Sequence, residues 1–118
     1  MKTRYHEIPS YLTKDGSLIR ELMHPSAHGN RQQSLAEAIV PAGRRTRLHR
    51  HAQSEELYHV TRGSGWMTLG DETLRLAVGD TVLIPPGTAH DLLAGEEEPL
   101  HLLCCCSPPY SHADTELL

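Results

Sequence analysis

Basic residues are in the minority: 11 lysines and arginines stand against 15 aspartates and glutamates, for a net charge of −4. A chain of that sign has no general attraction for phosphates, so nucleic acid is not an expected partner. Arg44, Arg45, Arg47 and Arg50 do form a local basic cluster. On a strand they divide between two faces and cannot act as one patch. Long apolar runs are missing as well. No segment approaches the roughly 20 residues needed to span a bilayer, and the opening MKTRYHEIPS lacks the apolar stretch of a signal peptide. The expectation is a cytoplasmic protein with no membrane partner. There is no C-x2-C pair to hold zinc through thiolates, and the cysteine count is odd. The three cysteines are consecutive, Cys104, Cys105 and Cys106, so on a strand neighbours point apart and cannot bridge without strain. They read as small buried hydrophobes of a late strand. The sharper alternative is that one inward thiol lines a pocket or senses oxidants, and parity alone leaves open whether Cys105 or the pair Cys104 and Cys106 faces inward. The one H-x3-H pair, His24 and His28, has a proline inside it and stands apart from the other histidines, so a site built from those has to be assembled by long-range strand pairing.

What the chain does have is two histidine clusters with fixed punctuation. The first reads G-x5-H-x-H-x4-E-x6-G from Gly43 through His49, His51 and Glu56 to Gly63; the second reads G-x5-P-x-G-x2-H from Gly79 through Pro85 and Gly87 to His90. Alternate residues of a strand share a face, so Arg47, His49 and His51 are expected to project together. On a second strand Glu56, Tyr58 and Val60 share one face, and Leu57, His59 and Thr61 the other. His90 has only to enter from a third strand to join them. Three imidazoles and a carboxylate suit a divalent ion such as iron, manganese, zinc, nickel or copper, with coordination positions left over for water or substrate. His59 has the wrong parity, and His101 follows the charged turn Glu96-Glu97-Glu98, so neither is expected as a ligand; nor is His112.

Together these stretches, about residues 43–94, resemble the two signature motifs of the cupin superfamily, with every histidine, glycine and proline in register. The one departure is Ala94, where the family often has an asparagine that is not a ligand. The resemblance implies an all-β fold, the double-stranded β-helix or jelly-roll barrel. It also implies His49, His51, Glu56 and His90 as metal ligands and, since small cupins are commonly dimers, a homodimer. Leu48, Leu57 and the outward half of Leu100–Cys106 are candidates for the dimer face.

The rest of the chain reads as one domain, 1–118, with N-terminal strands in 1–33, a metal-binding core over about 34–106 and a tail at 107–118. Strands are expected at Ser17–Met23, Ser34–Val40, Arg47–His51, Glu56–Arg62, Gly65–Leu69, Thr73–Leu76, Thr81–Ile84, Asp91–Leu93 and Leu100–Cys106. Lys14-Asp15-Gly16 and Gly70-Asp71-Glu72 are turns, and His24–Asn30 is a loop by composition. Gly63 and Gly79 can take the positive φ of a sharp turn, and Pro85-Pro86-Gly87 stiffens the approach to His90. The tail is too polar and proline-rich to be a core strand. Either it packs on the outer surface, or it folds over the barrel mouth and brings Tyr110 or His112 near a substrate. Cupins include dioxygenases, isomerases, epimerases, decarboxylases, lyases and non-catalytic sensors, and the fold cannot choose among them. The first expectation is a metal-dependent enzyme on a small polar metabolite, of dioxygenase type, with Tyr58 as a donor and Arg47 as an anion contact at the pocket mouth. The alternatives are a sugar-phosphate isomerase or epimerase, for which Arg47 is the one clamp residue on offer, and a binding module without turnover.

Overall fold

Inward residues along the strands grade from apolar at one end of the barrel to polar at the other, and this gradient places the site. The computed structural model describes residues 1–118. Its strands are β1 (Tyr11–Leu12), β2 (Leu18–Met23), β3 (Ser34–Val40), β4 (His49–His51), β5 (Glu55–Arg62), β6 (Gly65–Leu69), β7 (Glu72–Leu76), β8 (Thr81–Ile84), β9 (His90–Ala94), β10 (Leu100–Ser107) and β11 (Thr115–Leu117). They form a six-stranded sheet, β1-β2-β3-β10-β5-β8, and a five-stranded sheet, β11-β4-β9-β6-β7. The pairings within both sheets are antiparallel. This is the jelly-roll arrangement expected from the sequence, in which two sheets share one core.

Strict alternation makes β3, β5 and β10 half-buried strands. Ser34, Ala36, Ala38 and Val40 are buried on β3, and Leu100, Leu102, Cys104 and Cys106 on β10. Register stacks them in layers: Val60 and Ala38 flank Leu102, Tyr58 and Ala36 flank Cys104, and Glu56 and Ser34 flank Cys106. The layers around Leu102 and Leu100 join Met67, Leu76, Ile84 and Leu92 in the hydrophobic core. Towards the other end β3 offers only alanine and serine, so the space opposite Tyr58 and Glu56 is not filled by side chains, and a cavity opens there.

Register also settles the cysteine parity. Cys104 and Cys106 are buried and Cys105 is half-buried on the outer face; all three are free thiols. The outward neighbours of Cys105 form an apolar row across five strands, Met23–Leu35–Cys105–Leu57–Leu83. Leu35, Leu57 and Leu83 in that row are 37%, 41% and 51% exposed.

The structure differs from the sequence reading at the start of β4, which begins at His49 and not at Arg47, and in two further stretches. The His24–Asn30 loop contains a single helical turn, α1 (Pro25–His28), because the His24 side chain accepts the Ser26 N–H and Gly29 ends the turn at φ +83°. The tail does supply a strand: β11 pairs with β4, bringing Thr115 opposite His51. Pairing with an edge strand does not demand apolar alternation, which is why composition gave no sign of it. Gly63 sits where only glycine fits, since φ is +80° and an added Cβ would fall 2.3 Å from the Pro99 carbonyl oxygen.

Candidate metal centre

The polar end of the barrel gathers the histidines of both motifs. His49 and His51 come from β4 and His90 from β9, and His49 lies directly opposite His90 in the ladder. All three are buried, and one ring nitrogen from each lies within 4.8 Å of the others. Their ring centroids are 4.2 to 5.4 Å apart.

Hydrogen bonds behind the rings decide which nitrogen faces inward. His49 Nδ1 is 2.8 Å from the Arg47 carbonyl oxygen, and His90 Nδ1 is 2.9 Å from that of Thr88. A carbonyl only accepts, so both Nδ1 atoms carry the proton. His51 Nδ1 is 3.0 Å from the Thr115 hydroxyl. That hydroxyl already donates to the Ser111 carbonyl at 2.8 Å, so it accepts from His51. Each ring in its neutral form therefore turns an unprotonated Nε2 to the centre, the form that binds a metal. Burial and the neighbouring His90 lower the pKa of His49, which further favours that neutral form.

Glu56 projects from β5 towards the same point. Its Oε1 is 3.2 Å from His51 Nε2 and 3.5 Å from His90 Nε2. Burial alone would raise its pKa, but His51 and His90, when their Nε2 atoms are protonated and donate to it, outweigh burial and hold it at about 2. Its second oxygen, Oε2, accepts from the Cys106 thiol at 3.2 Å. Burial, then the charge on Glu56, pushes that thiol's pKa upward, so it remains a protonated donor. His90 Nε2 and Glu56 Oε1 are both buried without a hydrogen-bond partner. Orphaned acceptors of this kind cost about 1–3 kcal/mol each when nothing binds them. A divalent ion is what such a donor set fits.

A small cavity of about 40 Å³ opens beside the histidines. Its lining includes Asp15, Glu21, His49, His51, Glu56, Tyr58, Cys104, Cys106 and Tyr110. The inward cysteines are thus cavity wall as well as packing, a role the plainer sequence reading did not give them. Tyr58 is fully buried, its ring 5.9 Å from that of His90; burial, then Glu56, keeps its phenol protonated. Tyr110 belongs to the same lining, its ring 5.7 Å from that of His51 and its hydroxyl 3.0 Å from His112 Nδ1.

Arg47 is placed otherwise than parity suggested. β4 begins at His49, so the alternation does not extend back to Arg47. Its side chain is exposed and is not part of the cavity lining. What Arg47 gives the site is its backbone, a carbonyl for His49 and an N–H for the Asp15 carbonyl. His59 faces outward and bonds Thr81, as its parity indicated. Sequence reasoning missed Asp15 and Thr115. Asp15 looked like a turn residue, and Thr115 lies 64 residues from the histidine it serves.

Comparison with known proteins agrees with this architecture. A family model described as the cupin domain matches residues 36–106. An uncharacterized protein of Methanocaldococcus jannaschii is 52% identical over 118 residues, spanning 100% of this chain and 94% of its own. Among solved structures, the Streptomyces nucleoside dehydratase Pac13 superposes with a TM-score of 0.82 at 16% identity, over 100% of this chain and 90% of that one. The polyketide cyclase RemF of Streptomyces resistomycificus gives 0.80 at 20% identity, over 91% and 78%. With both motifs on one barrel and the family match across the core, the chain belongs to the cupin family.

Proposed function

We propose that this protein is a metal-dependent enzyme that carries out a redox-neutral rearrangement or elimination on a small, uncharged, oxygen-rich metabolite. The observation that carries this reading is the set of three inward imidazole nitrogens, fixed from behind, beside a buried carboxylate and an open cavity. A divalent ion held by His49, His51, His90 and Glu56 would supply Lewis acidity towards a substrate oxygen. The chain's own groups orient and protonate. Burial lifts the Tyr110 phenol to about 12, so it donates hydrogen bonds at neutral pH and does not serve as a base. The Tyr58 phenol behaves alike, one layer deeper.

Charge on the wall argues for an uncharged substrate. Lys14 is the one lysine or arginine of the lining, and its Nζ donates to the carbonyls of His112 and Thr115. With Arg47 outside the lining, a phosphate has no clamp, which disfavours the sugar-phosphate isomerase reading. A dehydratase among the structural neighbours is in keeping with redox-neutral chemistry. Dioxygen chemistry is the second reading, because three nitrogens and one carboxylate also suit iron or manganese.

The test is metal content of protein purified without chelator, followed by turnover of small hydroxy and keto compounds under argon and under air. Equal turnover in both atmospheres supports the proposal. Strict dependence on air would replace it with the dioxygenase, and bound metal without any turnover would leave a binding module. We also propose that the protein is a homodimer joined through the outer apolar row of the six-stranded sheet. Leu48 precedes β4, in the other sheet, and lies outside that row.

A further inference from the structure

Asp15 occupies the turn between β1 and β2, and its two carboxylate oxygens have different surroundings. Oδ1 is saturated: it accepts from the Thr13 hydroxyl at 2.6 Å, the Ser17 hydroxyl at 2.7 Å and the Ser17 N–H at 2.9 Å. The backbone is pinned as well, its carbonyl taking the Arg47 N–H at 2.8 Å. These bonds leave the side chain little freedom and direct Oδ2 into the cavity. There Oδ2 lies 3.7 Å from His49 Nε2, with the side chain only 14% exposed. Glu56 meets His51 and His90, whereas Asp15 meets His49.

We propose that Asp15 is a second carboxylate ligand of the metal centre, delivered by the N-terminal hairpin to the His49 side of the histidine cluster. The inference rests on the metal-centre reading and adds a donor outside both histidine motifs. Two donors each about 2.1 Å from one ion stand roughly 3 to 4 Å apart, depending on the angle between them. The separation of Oδ2 from His49 Nε2, like those of Glu56 Oε1 from His51 and His90, falls in that range, and since the three imidazole nitrogens alone lie within 4.8 Å of one another, both carboxylates would close in as the ion binds. A turn residue needs no such placement, because Oδ1 alone already satisfies the hairpin.

A second carboxylate changes which ion fits. Three imidazoles and two carboxylates exceed the four-coordinate shell zinc favours and suit an ion that takes more donors, including hard oxygens, such as manganese or iron. The consequence is selectivity for Mn²⁺ relative to Zn²⁺ that depends on Asp15.

The experiment titrates metal-stripped protein with Mn²⁺ and with Zn²⁺, for the wild type, Asp15→Asn, Asp15→Ala and, as control, Asp71→Asn, which neutralises an exposed turn carboxylate outside the cavity lining. Asp15→Asn retains an acceptor for Thr13 and Ser17, so the hairpin is kept, and circular dichroism checks each variant. Both Asp15 variants should lose about tenfold or more in Mn²⁺ affinity, a loss typical of a disrupted metal shell. Zn²⁺ affinity should fall less, and the visible spectrum of the Co²⁺ form should move towards that of a lower-coordinate ion. Wild-type Mn²⁺ affinity in both Asp15 variants would overturn the proposal while leaving the histidine centre standing. If the wild type binds neither ion, the centre itself falls and the proposal with it.

Discussion

Each imidazole of the centre presents the nitrogen that the acceptor behind it dictates, and for His51 that acceptor is Thr115. Thr115→Val keeps the shape and removes the oxygen. We expect metal affinity to fall about 10- to 100-fold, the usual loss for an orienting partner; Thr115→Ser should restore it. Chelator competition measures both, and unchanged affinity in the valine variant would mean that ring packing alone orients His51. The corresponding acceptors of His49 and His90 are local, each a carbonyl two residues upstream. Those histidines were therefore legible as a motif together with their strands. Thr115 was not, because nothing in a polar tail says which strand it will pair with. Asp15 was hidden for a different reason. Its sequence context announces a turn, and only the Thr13 and Ser17 bonds show which way the second oxygen points. Arg47 erred in the opposite direction, since parity holds only inside a strand and β4 starts two residues later.

Among the elements, the turn before β9 controls the site most directly. Gly87 has φ +77° and donates its N–H to the His51 carbonyl at 2.7 Å, so one residue ties the Pro85-Pro86-Gly87 turn to β4. A β-branched residue is poorly tolerated at positive φ, and strain of this kind costs about 1–3 kcal/mol. Gly87→Val should lower both the melting temperature and the metal affinity without touching a ligand. Gly87→Asn should do so less, because asparagine enters the left-handed region more readily. Wild-type metal affinity in the valine variant would show that the turn does not position His90. Strands were legible from their lengths and bounding turns more than from alternation: Leu-Ala-Glu-Ala in β3 suits a helix as well, and β10 reads as an apolar run, although burial alternates along both. The tail resisted because its attachment is by pairing and capping: Asp114 accepts the N–H groups of Gln53 and Ser54 at 2.9 and 3.1 Å. The exposed Arg50–Glu116 pair at 2.9 Å adds little to that, on the order of 0–1 kcal/mol.

At the scale of the whole molecule, the two faces of the six-stranded sheet have separate uses. Inward, the small residues of β3 open the cavity; outward, the row through Leu35, Leu57 and Leu83 is apolar without an intramolecular cover. Leu57→Glu should turn a dimer into a monomer by light scattering while leaving metal content intact, because Leu57 and Glu56 point to opposite faces. A wild-type monomer at micromolar concentration would remove the dimer. Segments far apart in the chain also meet around β11: the Lys14 ammonium reaches the Thr115 carbonyl, and the Leu118 N–H reaches the Leu48 carbonyl. Chain ends are the ordinary places to attach tags, reporters or fusion partners. Here anything joined after Leu118 would pull directly on the strand that aims His51, so an apparently inert handle at that point would disturb the histidine cluster itself.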